Sequence, residues 1–200
     1  MSIELTASAT RLEHELTEPI YRLSVEQYQA MINNRILTSD DRVELLDAWI
    51  IPKMTKNPPH VLATARLFDH LVQLVPAGWF VAKEDPVVVG SSQPEPDIAV
   101  IRGDRSTFRN RHPNASEVEF IVEVADTSLA LDLGKKKRIY AQAKVPEYWI
   151  LDVEGETVEL FREPVGQEYA SHRLFSIADN VPVSLGGTEV GTIPVRELLI

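Results

Sequence analysis

Two acids at the edges of apolar runs are the first residues whose types and positions could do chemistry. Glu123 interrupts residues 118–124 (VEFIVEV), the most strand-like run in the chain. A continuous apolar run is typical of a strand buried on both faces, where an ionised carboxylate is costly without a partner or a metal. Asp97 follows residues 94–96 (PEP), whose prolines extend the chain so that Asp97 opens the predicted strand 97–101.

Each acid also has an ordinary structural interpretation. With the two-residue period of a strand, Glu117, Glu119 and Glu123 share one face, and that face could be turned to solvent. Asp97 could cap a turn before its strand. The residues by themselves leave these alternatives open.

A lysine on an apolar helix face points toward the same acids. Residues 132–144 predict a helix, and at 100° per residue Lys136 lies in the middle of its apolar stripe. A lysine is almost never buried without a partner. Since this helix connects strands 118–124 and 147–152 it packs on the sheet, so we expect Lys136 to reach carboxylates at the end of the first strand. An ion pair with Asp132, or a lysine that extends to solvent, is the alternative.

These three side chains suggest hydrolytic chemistry. Two carboxylates on adjacent strands, Asp97 and Glu123, can hold a hard divalent cation through oxygen ligands. A nearby lysine, Lys136, can orient or help activate a metal-bound water and offset charge while a phosphodiester is attacked. The sequence therefore predicts a metal site at one end of a sheet.

Two basic segments stand out in an acidic chain. The net charge is −10, which argues against non-specific coating of nucleic acid. Residues 102–112 nevertheless hold four arginines and one acid, and residues 132–144 hold five basic residues and one acid. We expect the two segments to hold phosphates on either side of the acids; two solvated surface faces are the alternative.

The elements that must position these residues alternate between helices and strands. A capping box at Ser24 and Gln27 begins the first helix. The apolar face of helix 61–75 is expected to comprise Val61, Leu62, Ala65, Phe68, Leu71, Val72 and Val75. The remaining predicted elements are two strands within 42–54 around Asp47 and Ala48, two strands within 79–89, strands 97–101, 118–124 and 147–152, helix 132–144, and strands 157–161, 169–174 and 181–185. This order predicts a mixed α/β fold with a crossover helix.

Length and composition bound the remaining options. At roughly 150 residues per domain, 200 residues predict one domain, 21–200, after a flexible N-terminal segment, 1–20. The chain has no cysteine, which excludes disulfides, thiolate zinc sites and a cysteine nucleophile. We see neither a membrane-spanning run nor a signal peptide, and we expect a cytoplasmic protein.

Several of these segments together resemble a known family. The chain is similar to the Uma2 family (DUF820) of restriction-endonuclease-like proteins, within the PD-(D/E)XK nuclease superfamily. The resemblance covers about 21–165. It rests on VELLDAWI (43–50), Pro59 with His60, PEPDIAVI (94–101), FIVEVADTS (120–128), DLGKKKRIYAQAKVPEYWILD (132–152) and the following VELFRE.

The resemblance implies a restriction-endonuclease-like core: a central mixed sheet flanked by helices, here with additional strands at the C-terminus. It implies phosphodiester cleavage in DNA with Mg²⁺, for which Mn²⁺ can substitute, and a homodimer. Asp97 and Glu123 match the metal-binding acids, Lys136 matches a lysine on the following helix, and Glu44 matches a glutamate expected to complete the site. The candidate DNA contacts are Arg102, Arg105, Lys135 and Lys137.

The sequence departs from the family pattern at two turns and leaves some roles open. Ala48 and Lys144 stand where the family usually has glycine. Glu44 could be a strand-edge residue, and His60 could cap a helix or pack in the core. A non-catalytic interaction protein that keeps the fold is the main alternative function. A small-molecule site at the aromatic residues Tyr140, Tyr148 and Trp149 is less well supported than core packing.

Overall fold

The computed structural model describes residues 20–199 of the chain. The expected N-terminal segment lies, apart from residue 20, outside the described residues. The helices are α1 (Val25–Asn33), α2 (Pro58–Leu74), α3 (Leu129–Leu131), α4 (Lys137–Gln142) and α5 (Val195–Leu198). The strands are β1 (Val43–Leu46), β2 (Trp49–Pro52), β3 (Trp79–Lys83), β4 (Ile98–Arg102), β5 (Val118–Ala125), β6 (Glu147–Asp152), β7 (Thr157–Val165), β8 (Glu168–Ser176), β9 (Asn180–Leu185) and β10 (Thr188–Pro194).

Six of the strands form one mixed sheet in the order β3-β4-β5-β6-β7-β8. All neighbouring pairs are antiparallel except β5 and β6, which run parallel. A parallel pair needs a crossover connection, and α3, a π-helical turn at Asp132–Lys136 and α4 supply it. Two separate hairpins, β1-β2 and β9-β10, complete the described strands.

Apolar residues fill both faces of this sheet. On one face, alternate residues of β5 such as Phe120 and Val122 pack with α2, the β9-β10 hairpin and α5. On the other face, Ile121 packs with Ile139 and Tyr140 of α4. Because β5 is covered on both faces, all eight of its residues are buried. The crossover helix is therefore held against the strand that carries Glu123.

Most predicted elements are present, with two corrections at the level of secondary structure. The expected second strand within 79–89 is absent: Val88 and Val89 make only isolated bridges, to Asn114 and Ser92. The predicted helix 132–144 begins earlier, at Leu129, and contains the π-helical turn. β10 and α5 were not predicted. Within residues 20–199, no helix is long and apolar enough to cross a membrane.

The face of α2 that packs on the sheet differs from the prediction. Val61, Leu62 and Val72 are about half exposed. The residues that are buried are His60, Ala63, Thr64, Leu67 and Leu71. Two polar residues lie on the buried face: His60 contacts Asp97, and Thr64 donates to the His60 carbonyl. Apolar periodicity could not detect a face that contains two polar residues.

A β-bulge separates the glutamates that were expected to share one face of β5. Ile101 pairs with Val118 and Val100 pairs with Phe120, so Glu119 has no partner on β4. Glu119 instead contacts Trp79 and the backbone of Gly186, on the α2 side of the sheet. Glu123 contacts Tyr140 on the opposite side. The bulge therefore divides the acids of β5 between two environments.

Candidate active site

Lys136 is the centre of a buried group of carboxylates. Its side chain is only 9% exposed. Its Nζ atom lies 3.0 Å from Glu123 Oε1, 3.6 Å from Glu44 Oε1 and 3.9 Å from Asp132 Oδ1. Lys136 thus reaches the acid at the end of β5, as the helical pattern predicted, and also meets the Asp132 of the alternative interpretation. We call Glu44, Asp97, Glu123, Asp132 and Lys136 the acid-rich cluster.

Local structure fixes two of the three partners of Lys136, Asp132 and Glu123. The π-helical turn is closed by the Lys137 N–H, which donates to the Asp132 carbonyl five residues earlier. The same carbonyl accepts from Tyr148 Oη at 3.1 Å. Glu123 Oε1 also accepts from Tyr140 Oη at 2.6 Å. Both of these donors to Glu123, Tyr140 and Lys136, contact Oε1 and not Oε2.

Asp97 lies just before β4, where the β4-β5 ladder ends, and its side chain takes up a backbone N–H of β5 beyond the last paired residues. Its Oδ2 accepts from the Val124 N–H of β5 at 2.9 Å and lies 3.1 Å from His60 Nε2. Its Oδ1 accepts from Lys56 Nζ at 3.0 Å. Thr64 Oγ1 donates to the His60 carbonyl at 2.8 Å, one turn along α2. Asp97 is therefore anchored through Oδ2 to the strand that carries Glu123. The side chains of Lys56 and His60 contact its Oδ1 and Oδ2, respectively.

Glu44 enters the cluster from the β1-β2 hairpin. It is 3% exposed, and its Oε2 accepts from the Glu95 N–H at 3.2 Å. The turn that holds this hairpin has positive φ at both Asp47 (52°) and Ala48 (66°), the conformation of a type I′ turn. Ala48 thus adopts the backbone conformation that glycine normally provides.

Burial is the largest single influence on the pKa values in the acid-rich cluster, but neighbouring groups outweigh it at Asp97 and Lys136. Burial raises the pKa of Glu123 to about 8 and that of Asp132 to about 6, in both cases against the opposing effect of Lys136. Burial would also raise the pKa of Asp97, but His60, Lys56 and the Val124 N–H lower it to about 2. For Lys136, burial lowers the pKa, and the surrounding carboxylates outweigh it, so the pKa is well above its ordinary value. Lys136 is therefore an ammonium ion, while the carboxylates compete for protons.

Asp132 contributes a buried oxygen without a hydrogen bond to the cluster. Asp132 is 1% exposed, and its Oδ2 accepts from Ser128 Oγ, while its Oδ1 accepts no hydrogen bond from residues 20–199. Buried carboxylate oxygens without donors are costly, so they are rare outside sites that exchange protons, water or ions.

The acid-rich cluster opens into a cleft of about 300 Å³. Its walls come from segments 39–56, 84–97 and 123–136 together with His60. Glu44, Asp97, Glu123 and Lys136 all line it, so the structure brings the four predicted site residues together. Within residues 20–199, no three histidine or acidic side chains are grouped so that they could hold a metal ion.

The predicted DNA contacts are not part of this cleft. Arg102 is at the far end of β4 from Asp97, about 16 Å away at the rise of a strand, and pairs with Glu119. Arg105 bonds Asp85 and the Val81 carbonyl. Lys137 pairs with Glu168, and Lys135, which also interacts within the protein, is half-buried. None of the four lines the cleft.

Three residues at the site were not among the predicted site residues. His60 was expected to cap a helix or pack in the core, but it pairs with Asp97. The sequence indicated Asp132 only as an alternative partner of Lys136. Lys56 was not predicted, because it lies in a loop with no periodicity; it contacts both Asp97 and Glu84 (3.3 Å). The only sequence signal for Lys56 is its position shortly before His60, in the loop that leads into α2.

The arrangement of sheet, crossover helix and acid-rich cluster is a nuclease-like α/β fold. The structure is similar to a crystal structure from Anabaena variabilis ATCC 29413 described as "a putative nuclease belonging to DUF820". The TM-score is 0.69 and the identity 16%, and the alignment covers 90% of this chain and 97% of the other. At this identity the likeness establishes the fold.

The sequence settles the family. Residues 25–194 match the Uma2 family, which is described as "Putative restriction endonuclease". The protein therefore belongs to the Uma2 family, as its motifs indicated. No curated protein matches the sequence.

Proposed function

We propose that the protein is a metal-dependent endonuclease that hydrolyses phosphodiester bonds in DNA. The observation that carries this proposal is the excess of buried carboxylates: Glu44, Glu123 and Asp132 surround Lys136, and Asp97 is buried in the same cleft as Glu44, Glu123 and Lys136. A purely structural cluster would be expected to balance its charges. Membership of the Uma2 family supports the same conclusion.

The donors in the cleft suit a hard divalent cation such as Mg²⁺ or Mn²⁺. Asp97 and Glu123 would hold it through carboxylate oxygens, and Tyr140 and Lys136 contact Glu123 at Oε1 and not at Oε2. Mg²⁺ is usually bound by only one or two carboxylates, with waters and substrate phosphates as further ligands, so a group of three protein ligands is not required. When bound, the cation would polarise the phosphodiester and make a coordinated water more acidic.

The residues of the chain have separate roles in this proposal. Lys136, whose pKa is raised, stays protonated, so it acts as a hydrogen-bond donor that orients the attacking water and offsets negative charge, and not as the base. Glu44 helps to hold the ammonium group in place. His60 positions Asp97 through the hydrogen bond at its Oδ2.

Cleavage of supercoiled plasmid in Mg²⁺ or Mn²⁺ tests the proposal. Asp97→Asn and Glu123→Gln preserve side-chain shape, and we expect each to lower the cleavage rate at least ~100-fold. Glu159→Gln, on β7 and outside the cleft, is the matched control and should cleave normally. Calorimetric titration with Mn²⁺ measures the metal site directly and should show binding to the wild type that Asp97→Asn weakens.

Two results would contradict the proposal. Full activity in Asp97→Asn would reject the metal site. A wild-type protein that neither cleaves DNA nor binds Mn²⁺ would instead be a non-catalytic interaction protein with a nuclease fold. We also propose a homodimer, as the family resemblance implies, and sedimentation velocity tests it independently of activity.

A further inference from the structure

One wall of the cleft carries basic side chains that the expected DNA contacts did not include. Arg42, Lys53 and Lys56 all line the cleft, and all three come from the β1-β2 hairpin and the loop after it. Val43 pairs with Pro52, so Arg42 and Lys53 are opposite each other one step beyond the ladder. The Lys53 N–H donates to the Arg42 carbonyl at 2.8 Å.

Contacts within the wall hold these side chains at the mouth of the cleft. Arg42 Nη2 donates to the Met54 carbonyl at 3.2 Å, which directs the guanidinium along the loop. Arg42 has φ of 44° because it ends the short 3-10 helix Ser39–Asp41 in a left-handed conformation. Lys53 pairs with Glu95 of the facing segment.

Exposure distinguishes the wall from the base of the cleft. The side chains of Lys53 and Lys56 are 26% and 31% exposed, against 9% for Lys136. An ammonium group that is partly open to water can exchange a carboxylate partner for a phosphate oxygen, because both accept charge-assisted hydrogen bonds. Glu44, the one acid of the same segment that lines the cleft, is buried at its base.

We infer that Arg42, Lys53 and Lys56 bind consecutive phosphates of the DNA strand that enters the cleft. This inference rests on the proposed function and adds the surface that binds the substrate. In a protein of net charge −10, binding to a polyanion must come from such a local group. The wall adjoins the acid-rich cluster, because Lys56 contacts Asp97 directly, whereas Arg102 and Arg105 do not line the cleft.

Binding measured without metal separates this inference from catalysis. The probe is a fluorescein-labelled DNA duplex in EDTA, followed by fluorescence anisotropy across a series of salt concentrations. We expect Arg42→Gln/Lys53→Gln to weaken binding about tenfold and to reduce the slope of log K against log salt by about 2, one for each lost phosphate contact. The charge-matched control Arg173→Gln/Arg196→Gln changes residues outside the cleft and should bind like the wild type.

A gain-of-binding variant excludes misfolding as the explanation. Glu95→Gln removes the acid that pairs with Lys53 and keeps the Glu95 N–H that bonds Glu44, so it should bind DNA more tightly. Equal losses in the two double variants, unchanged binding in Arg42→Gln/Lys53→Gln, or weaker binding in Glu95→Gln would each overturn the inference. So would a wild type that does not bind DNA at low salt.

The two proposals can fail separately. Binding that depends on Arg42 and Lys53, without cleavage in Mg²⁺ or Mn²⁺, would overturn only the proposed enzyme. Metal-dependent cleavage, together with a DNA affinity that is unchanged in Arg42→Gln/Lys53→Gln, would overturn only the inference that these side chains bind phosphates.

Discussion

Acidic residues are buried at both ends of β5, but their negative charges are neutralised to different extents. At the end of the strand, three carboxylates of the acid-rich cluster share one buried ammonium group, that of Lys136. At its start, Glu119 pairs with Arg102, and Glu147 of β6 pairs with Arg162. We call Glu119, Glu147, Arg102 and Arg162 the balanced cluster, because its charges cancel.

Hydrogen bonding shows the same contrast. In the balanced cluster, Glu119 Oε2 accepts from Arg102 and Trp79, and its Oε1 accepts from the Gly186 N–H at 2.7 Å. Glu147 accepts from the Trp149 indole and from Arg162, one on each oxygen. In the acid-rich cluster, no group of residues 20–199 donates a hydrogen bond to Asp132 Oδ1, and Lys136 Nζ lies 3.9 Å from it. The two clusters therefore differ in how fully their buried acids are paired, and not in burial itself.

Removing the ammonium of the acid-rich cluster should have the largest effect on stability. Lys136→Met keeps the volume of the side chain but leaves Glu44, Glu123 and Asp132 with no buried cation. We expect the free energy of unfolding at pH 8 to fall by about 3–5 kcal/mol, measured by urea denaturation. Lys137→Met is the neighbouring control and should cost at most about 1 kcal/mol, since its partner Glu168 is exposed. Similar decreases in the free energy of unfolding of both variants would show that the carboxylates of the acid-rich cluster do not depend on the charge of Lys136.

The same substitution at the two ends of β5 should change stability in opposite directions. In Glu119→Gln, an amide NH₂ replaces an oxygen that faces only donors, so we expect a loss of about 1–3 kcal/mol at pH 8. In Glu123→Gln, the amide oxygen can still accept from Tyr140 and Lys136 while one buried negative charge is removed. We expect this variant to be more stable than the wild type at pH 8, by about 1–2 kcal/mol, although inactive.

The effects of Glu119→Gln and Glu123→Gln on stability should also differ in their dependence on pH. The folded-state pKa of Glu123 is raised to about 8, so its contribution to stability is complete below the unfolded pKa and is lost as the pH rises through 8. The advantage of Glu123→Gln should therefore shrink toward pH 5. Burial alone would raise the pKa of Glu119, but Arg102, the Gly186 N–H and Trp79 lower it, so its contribution is present above the unfolded pKa and is lost as the pH falls. Urea unfolding between pH 4 and 9 measures both, and parallel curves for the two variants would contradict the distinction.

The sequence predicted the acid-rich cluster better than the balanced one because different signals define them. A lysine in an apolar helix stripe and an acid in an apolar strand are visible as breaks in periodicity, and Lys136 and Glu123 do meet. The partners of Glu119 depend on a bulge in β5 and on the Gly186 turn, which no local pattern reveals. Lys56 reaches Asp97 from an aperiodic loop, and its role depends on tertiary structure alone.

The junction between the two clusters offers a reference substitution that should leave both unchanged. Lys144 joins α4, which follows Lys136, to β6, which carries Glu147. It has φ of 61° and closes a Schellman motif, in which its N–H bonds the Ala141 carbonyl and the Val145 N–H bonds the Tyr140 carbonyl. Lys144 is exposed, so Lys144→Gly removes backbone strain without removing a buried contact.

We expect Lys144→Gly to raise the free energy of unfolding by about 0.5–1 kcal/mol at every pH, measured by urea denaturation. A gain that is independent of pH would confirm that the pH-dependent changes in the Glu119 and Glu123 variants come from their carboxylates and not from general loosening of the sheet. A gain that varied with pH would mean that backbone strain at this turn is coupled to the charges on either side. In that case the two ends of β5 could not be treated as independent sites.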